Sequence, residues 1–136
     1  MRAVLTLAVA VALVGCDGGD TAANVGDLAV VLLAPADRDT VALGAPATFR
    51  WRTEPLADGS VSFELEVEEV VSGRTAVTAF ARGLAPAAAY TLTVPLADDA
   101  HAGGLRAYRW RVRPYASVRH PWYGAWSGPA LLMVAE

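Results

Sequence analysis

The chain has 136 residues, enough for one ordinary domain with a modest core, and carries a formal net charge of −3. Its basic residues are all arginines and form no concentrated surplus, which argues against a nucleic-acid binder. Because there is only one cysteine, a disulfide within the chain is excluded.

The first segment in chain order, residues 1–15, has the pattern of a signal peptide. A positive start at Arg2 precedes an apolar run over residues 3–14. That run is too short for a membrane span of about 20 residues. It ends in LVGC, which resembles the lipobox of bacterial lipoproteins and implies cleavage before Cys16 and lipidation of its thiol. The alternative is an ordinary cleaved signal followed by an unpaired cysteine.

The next segment, residues 16–27, joins the lipidated cysteine to a stretch rich in glycine and aspartate. It has no apolar period and predicts a flexible tether. Its three aspartates do not have the spacing of a calcium loop. Several acyl chains, as the lipoprotein resemblance implies, would hold the protein at a membrane persistently. We therefore expect a protein of the bacterial cell envelope, with the membrane as a partner through Cys16.

From residue 28 onward, short apolar segments alternate with turns that contain proline, glycine and aspartate, and no helical period is present. Alternation is most regular in residues 105–115, LRAYRWRVRPY, where aromatic and arginine side chains fall on opposite faces. Residues 61–68 alternate as strictly between apolar residues and mainly glutamates. The predicted strands are residues 28–33, 47–53, 61–68, 75–81, 90–94, 105–115 and 130–135, with a short edge segment at 40–43.

About seven short strands at this spacing predict an all-β domain over residues 28–136, either a β-sandwich or a small closed barrel. The ordered motifs LLAPADRDTVALGAPATFRW, FELEV, YTL, YRWRV and WSGP resemble the fibronectin type III-like domains of bacterial surface proteins. The resemblance implies an immunoglobulin-like β-sandwich. It places strands 28–33, 47–53 and 90–94 in one sheet, and strands 61–69, 75–81, 105–115 and 130–135 in the other.

The same resemblance implies two features of the second sheet. Glutamates at positions 64, 66 and 68 would face arginines at positions 109, 111 and 113 across neighbouring strands. Trp126, in the WSGP motif, would stack on Arg109 or Arg111. Only a short stack is expected, because a second tryptophan-serine pair is missing. The residues expected to be buried together in the core are Trp51, Phe63, Leu65, Tyr108 and Trp110.

No pattern for catalysis, a cofactor or a metal is found. His101 follows Asp98 and Asp99 but lacks a convincing further ligand. Ser127 lacks the glycine two positions before it that a nucleophile elbow requires. The glutamates share one strand face beside arginines, which favours structural pairing over glycoside hydrolysis. The sequence therefore favours a non-enzymatic module without a cofactor.

A binding role is suggested by the connection over residues 116–125, ASVRHPWYGA. Loops at the ends of sandwich domains often carry recognition residues. This one holds Arg119, Trp122 and Tyr123, residue types that are enriched at binding hot spots. We hypothesise that they contact an envelope protein or a glycan at the membrane-distal or lateral edge, the alternative being that the rings only pack. An interaction or structural module is favoured, and a carbohydrate-binding accessory domain is the second hypothesis.

Overall fold

The computed structural model describes residues 23–42, 44–96, 106–116 and 122–135. These ranges contain a short 3-10 helix, Val25–Asp27, and nine strands. None of their helices is long and apolar enough to cross a membrane. The strands are β1 (Ala29–Ala34), β2 (Asp39–Ala42), β3 (Pro46–Glu54), β4 (Val61–Glu69), β5 (Thr75–Leu84), β6 (Tyr90–Pro95), β7 (Arg106–Ala116), β8 (Trp122–Tyr123) and β9 (Ala130–Ala135).

The strands form two sheets. One has the order β1-β3-β6, and the other has the order β2-β9-β7-β4-β5, with the short β8 paired to β7. Neighbouring strands are antiparallel, except that β2 runs parallel to β9. The prediction of an all-β, immunoglobulin-like sandwich is confirmed. The closed barrel is wrong, because the two sheets are separate and each has open edges.

The core lies between the two sheets and is built from the apolar face of each alternating strand. Trp51 and Trp110 are completely buried, and Tyr108 is nearly so. Phe49 of β3 meets Trp110 of β7 edge to face, with ring centroids 4.9 Å apart. Such pairs contribute about 0.5–1.5 kcal/mol beyond the area they bury. Strand parity therefore places these large rings where they join the two sheets.

One end of the sandwich, which we call the amino-terminal pole, receives the chain from residue 23. β1 begins there, because Ala29 pairs with Glu54 at the end of β3. The connection over residues 55–60 also lies there, since the Ala23 N–H donates to the Ser60 carbonyl at 2.9 Å. β7 ends at the same pole. The hairpin over residues 70–74, between β4 and β5, marks the opposite pole.

Residues 23–27, which composition assigns to the tether, are part of the folded domain. Ala23 and Val25 are both buried in the core cluster. Asn24 donates through its side-chain amide to the Asp27 carboxylate at 2.7 Å. Composition does not predict this packing, because the segment is rich in glycine and aspartate and only the small side chains of Ala23 and Val25 provide the apolar contacts.

Ser62 is buried, although the alternation in β4 places it on the outer face of the sheet, which is expected to be exposed to solvent. Its hydroxyl accepts a hydrogen bond from the Gly83 N–H at 2.9 Å. The register between β4 and β5 shifts between Val61 and Phe63, which takes Gly83 out of the regular ladder. The serine hydroxyl therefore satisfies a backbone donor that strand pairing leaves without its usual acceptor.

Candidate contact face

The outer surface of the second sheet carries the predicted ladder of opposite charges. Glu64, Glu66 and Glu68 of β4 lie in register with the three alternating arginines of β7. The closest nitrogen–oxygen distances are 2.6 Å for Arg113–Glu64 and 2.8 Å for Arg111–Glu66. Each pair is worth only about 0.2–1 kcal/mol, because the pairs lie on the outer face of the sheet, where solvent partly screens them. The ladder, which is confirmed, fixes strand register more than it stabilises the fold.

Trp126 is held in an arginine–aromatic stack on this surface. The guanidinium carbon of Arg111 lies over its ring, 4.1 Å from the ring centroid. The guanidinium carbon of Arg113 lies over the same ring, 4.4 Å from the centroid. Arg113 also covers the ring of Tyr123 at 3.8 Å. The expected contact with Arg111 is present, whereas Arg109 pairs with Glu68. The stack is longer than expected, because β8 brings Tyr123 to the position of the missing second tryptophan.

The segment over residues 124–127 completes the edge of β7 between its pairings with β8 and β9. The Val112 N–H donates to the Ser127 hydroxyl at 3.1 Å, and the Ser127 N–H donates to the Val112 carbonyl at 2.8 Å. The Gly124 N–H donates to the Pro114 carbonyl at 2.8 Å. The backbone groups of β7 are thereby satisfied without a continuous strand partner. This role of Ser127 was not predicted from the sequence. The WSGP motif before the last strand is the signal that could have indicated it.

The structure places two of the three predicted contact residues on β8. Trp122 pairs with Ala116 and Tyr123 with Tyr115. Trp122 is 71% exposed and Tyr123 is 46% exposed. Consecutive side chains of a strand point to opposite sides, so the two rings do not form one flat platform. Arg119, the third predicted residue, lies outside the described residues.

An open groove of about 340 Å³ adjoins the two rings. We use the name contact face for Trp122, Tyr123 and this groove. Its other wall comes from the amino-terminal segment, so the contact face belongs to the amino-terminal pole. The residues that line the groove are Ala23, Asn24, Val25, Gly26, Ala116, Trp122 and Tyr123.

With an anchor at Cys16, the contact face would lie on the membrane-proximal side of the domain rather than at a membrane-distal edge. A chain extends by at most about 3.6 Å per residue, so the seven steps from Cys16 to Ala23 span at most about 25 Å. If Cys16 is the anchor, the amino-terminal pole is therefore the part of the domain nearest to the membrane. Cys16 itself lies outside the described residues.

A second depression, of about 250 Å³, lies over the charge ladder. Glu66 and Glu68 line it together with Arg109 and Arg111, and Ser127 and Pro129 close one side. The two glutamates already neutralise the two arginines across it. It therefore offers a ligand little uncompensated charge.

Over the described ranges, no three histidine, cysteine, aspartate or glutamate side chains gather as a metal site would require. Asp98, Asp99 and His101 lie outside those ranges. No protein-family model matches the chain, and a search of the curated proteins also finds no match.

Proposed function

We propose that this protein is a lipoprotein of a bacterial cell envelope, anchored through lipid on Cys16, that carries a non-enzymatic fibronectin type III-like interaction or structural module. The observation that carries the proposal is the position of its single cysteine. Cys16 follows an apolar run and Gly15, and only six residues separate it from Ala23, where the described part of the domain starts. This spacing suits an anchor joined to a domain by a short tether.

The fibronectin type III-like character is supported by strand arrangement. The resemblance assigns β1, β3 and β6 to one sheet and the other long strands to the second, which is the division in the structure. The packing of Trp126 between Arg111 and Arg113 also agrees with the tryptophan-serine element that such domains carry before their last strand. Both observations concern the fold, and neither identifies a ligand.

The contact face is the proposed interaction surface. Trp122 leaves most of its ring in water, although a large ring gains free energy when it is buried against a partner. The exposed ring also suits stacking on a sugar, which is why a carbohydrate-binding accessory domain is the second candidate. One side of Tyr123 is already covered by Arg113, so a platform of two rings for a sugar chain does not form.

The anchor is tested with Cys16→Ser. Without the thiol no lipid can be attached, so we expect the protein to leave the membrane fraction or to remain as an uncleaved precursor. The measurement is membrane fractionation combined with the intact mass of the chain, and the wild type is the control. Unchanged membrane attachment with normal cleavage would contradict the proposal.

A further inference from the structure

We infer that the contact face lies on the bilayer, where Trp122, together with Leu56 at the same pole, enters the region between the lipid headgroups and the acyl chains. This inference rests on the proposed lipid anchor at Cys16. It names the partner of the contact face as the surface of the membrane that holds the anchor. The domain then presents its other pole, and the charge ladder, to the envelope.

Large apolar side chains are exposed at the amino-terminal pole. Leu56, in the connection that accepts the hydrogen bond of Ala23, is 63% exposed, and Trp122 is 71% exposed. Both lie at the amino-terminal pole with Tyr123. Tryptophan and tyrosine are favoured at membrane interfaces, where the ring body is in an apolar layer and the polar tip remains wet. The side chains nearest to the anchor are thus of the type that a bilayer surface accommodates.

The short length of chain between Cys16 and Ala23 keeps the domain close to its proposed anchor. The chain from Cys16 to Ala23 spans at most about 25 Å, so the contact face cannot move far from the membrane. Contact of the domain with lipid becomes an intramolecular event, for which a short flexible tether gives an effective concentration on the order of millimolar. A few inserted side chains are then sufficient, although they would not hold a free domain on vesicles.

The charged side chains at the amino-terminal pole determine which kind of lipid surface the domain favours. Asp27, Glu54 and Asp58 are exposed at the amino-terminal pole, as is Arg82 near the end of β5. Glu54 is paired with Arg52, whereas Asp58 is at the tip of the connection that carries Leu56. Acidic side chains outnumber basic ones among these described residues, so this part of the surface is not a basic patch that attracts anionic headgroups. The contact is therefore apolar, and it is stronger on zwitterionic vesicles than on anionic ones.

The test uses the lipidated mature protein reconstituted in phosphatidylcholine vesicles, with bromine atoms on the acyl chains as a quencher of tryptophan emission. Trp51 and Trp110 are buried in the core, and Trp126 is covered by two arginines. Trp122 is the indole placed to approach lipid. We expect brominated lipid to quench the wild type, Trp122→Phe to abolish most of that quenching, and phosphatidylglycerol vesicles to reduce it.

A matched control places an equally exposed indole at the opposite pole. Val71 is 91% exposed, and the nine residues of β4 separate its hairpin from the amino-terminal pole by about 30 Å. Val71→Trp in the Trp122→Phe background should float with the vesicles and show no quenching by brominated lipid. Equal quenching of the two indoles would mean that the domain has no preferred side, and it would overturn the inference.

Loss of the bilayer contact and loss of the anchor give different experimental results. If the protein floats with the vesicles while Trp122 remains open to aqueous iodide and unaffected by brominated lipid, the anchor stands and the bilayer contact is refuted. In that case, loss of a captured envelope protein or glycan from a variant with Trp122→Ala and Arg119→Ala would assign the contact face to that partner. If the wild type does not float, the anchor fails and the inference fails with it.

Discussion

Gly124, which directly follows β8, shows how strongly one residue can be constrained by contacts with other segments of the chain. A side-chain carbon at this position would lie 2.5 Å from the Val25 carbonyl and 2.7 Å from Cγ of Pro114. One of these neighbours is backbone, so the clash cannot be relieved by a rotamer change alone. The glycine therefore allows the amino-terminal segment to approach the end of β7.

We expect Gly124→Ala to lower the free energy of unfolding by about 1–3 kcal/mol, the usual cost of forcing an extra carbon into a packed site. Urea denaturation measures the change. Gly128→Ala is the matched control, because a side-chain carbon there meets nothing within 4 Å. Equal unfolding midpoints for the two variants would show that the close approach at Gly124 is absent in solution.

At the scale of elements, β4 and β7 combine two interactions that chemical denaturation can separate. Arg109 and Arg111 have similar side-chain exposure, 47% and 38%, and each pairs with one glutamate. Arg111 also covers the ring of Trp126. The difference in destabilisation between Arg111→Ala and Arg109→Ala therefore measures the contact between Arg111 and Trp126.

We expect Arg111→Ala to destabilise the domain by about 0.5–1 kcal/mol more than Arg109→Ala, the size of an exposed cation–ring contact. In a Trp126→Ala background this difference should disappear. It should persist in high salt, which weakens both ion pairs alike. A difference that is unchanged without the tryptophan would assign it to the Glu66 pair instead.

Strand alternation predicts most of these elements, because side-chain parity is a local property of the sequence. It places Trp110 inward and Glu66 opposite Arg111, as observed. It does not predict that Ser62 or Tyr115 is buried on the outer side of the sheet. Those positions are covered by segments distant in sequence, as when the ring of Phe80 lies against Tyr115 with ring centroids 6.0 Å apart.

The candidate site was predictable to a smaller extent. The sequence identifies Trp122 and Tyr123 as unusual loop aromatics, but it places them at a membrane-distal or lateral edge. Their position beside Val25 depends on packing between the two ends of the described chain. No local pattern encodes that packing, because Gly26 and its neighbours have the composition of a linker.

At the scale of the whole molecule, the amino-terminal segment sets where the tether ends and the domain begins. A chain starting at residue 23 should unfold at the same urea concentration as the mature protein, since the domain retains its described contacts. A chain starting at residue 28 should lose about 2 kcal/mol, because the buried Val25 and the bond from Ala23 to Ser60 are removed. Equal midpoints would place residues 23–27 in the tether.

The parallel pairing of β2 with β9 has a mechanical consequence. The chain enters at the amino-terminal pole, while β9 runs beside β2 toward the opposite pole, from Ala130 to Ala135. A pulling force between a lipid anchor and the carboxyl end would therefore act along the strands. It would load the four β2–β9 residue pairs, from Asp39–Leu132 to Ala42–Ala135, together in shear rather than open them one after another. If the chain is anchored at Cys16 as proposed, this edge of the second sheet is oriented to resist tension along the strands.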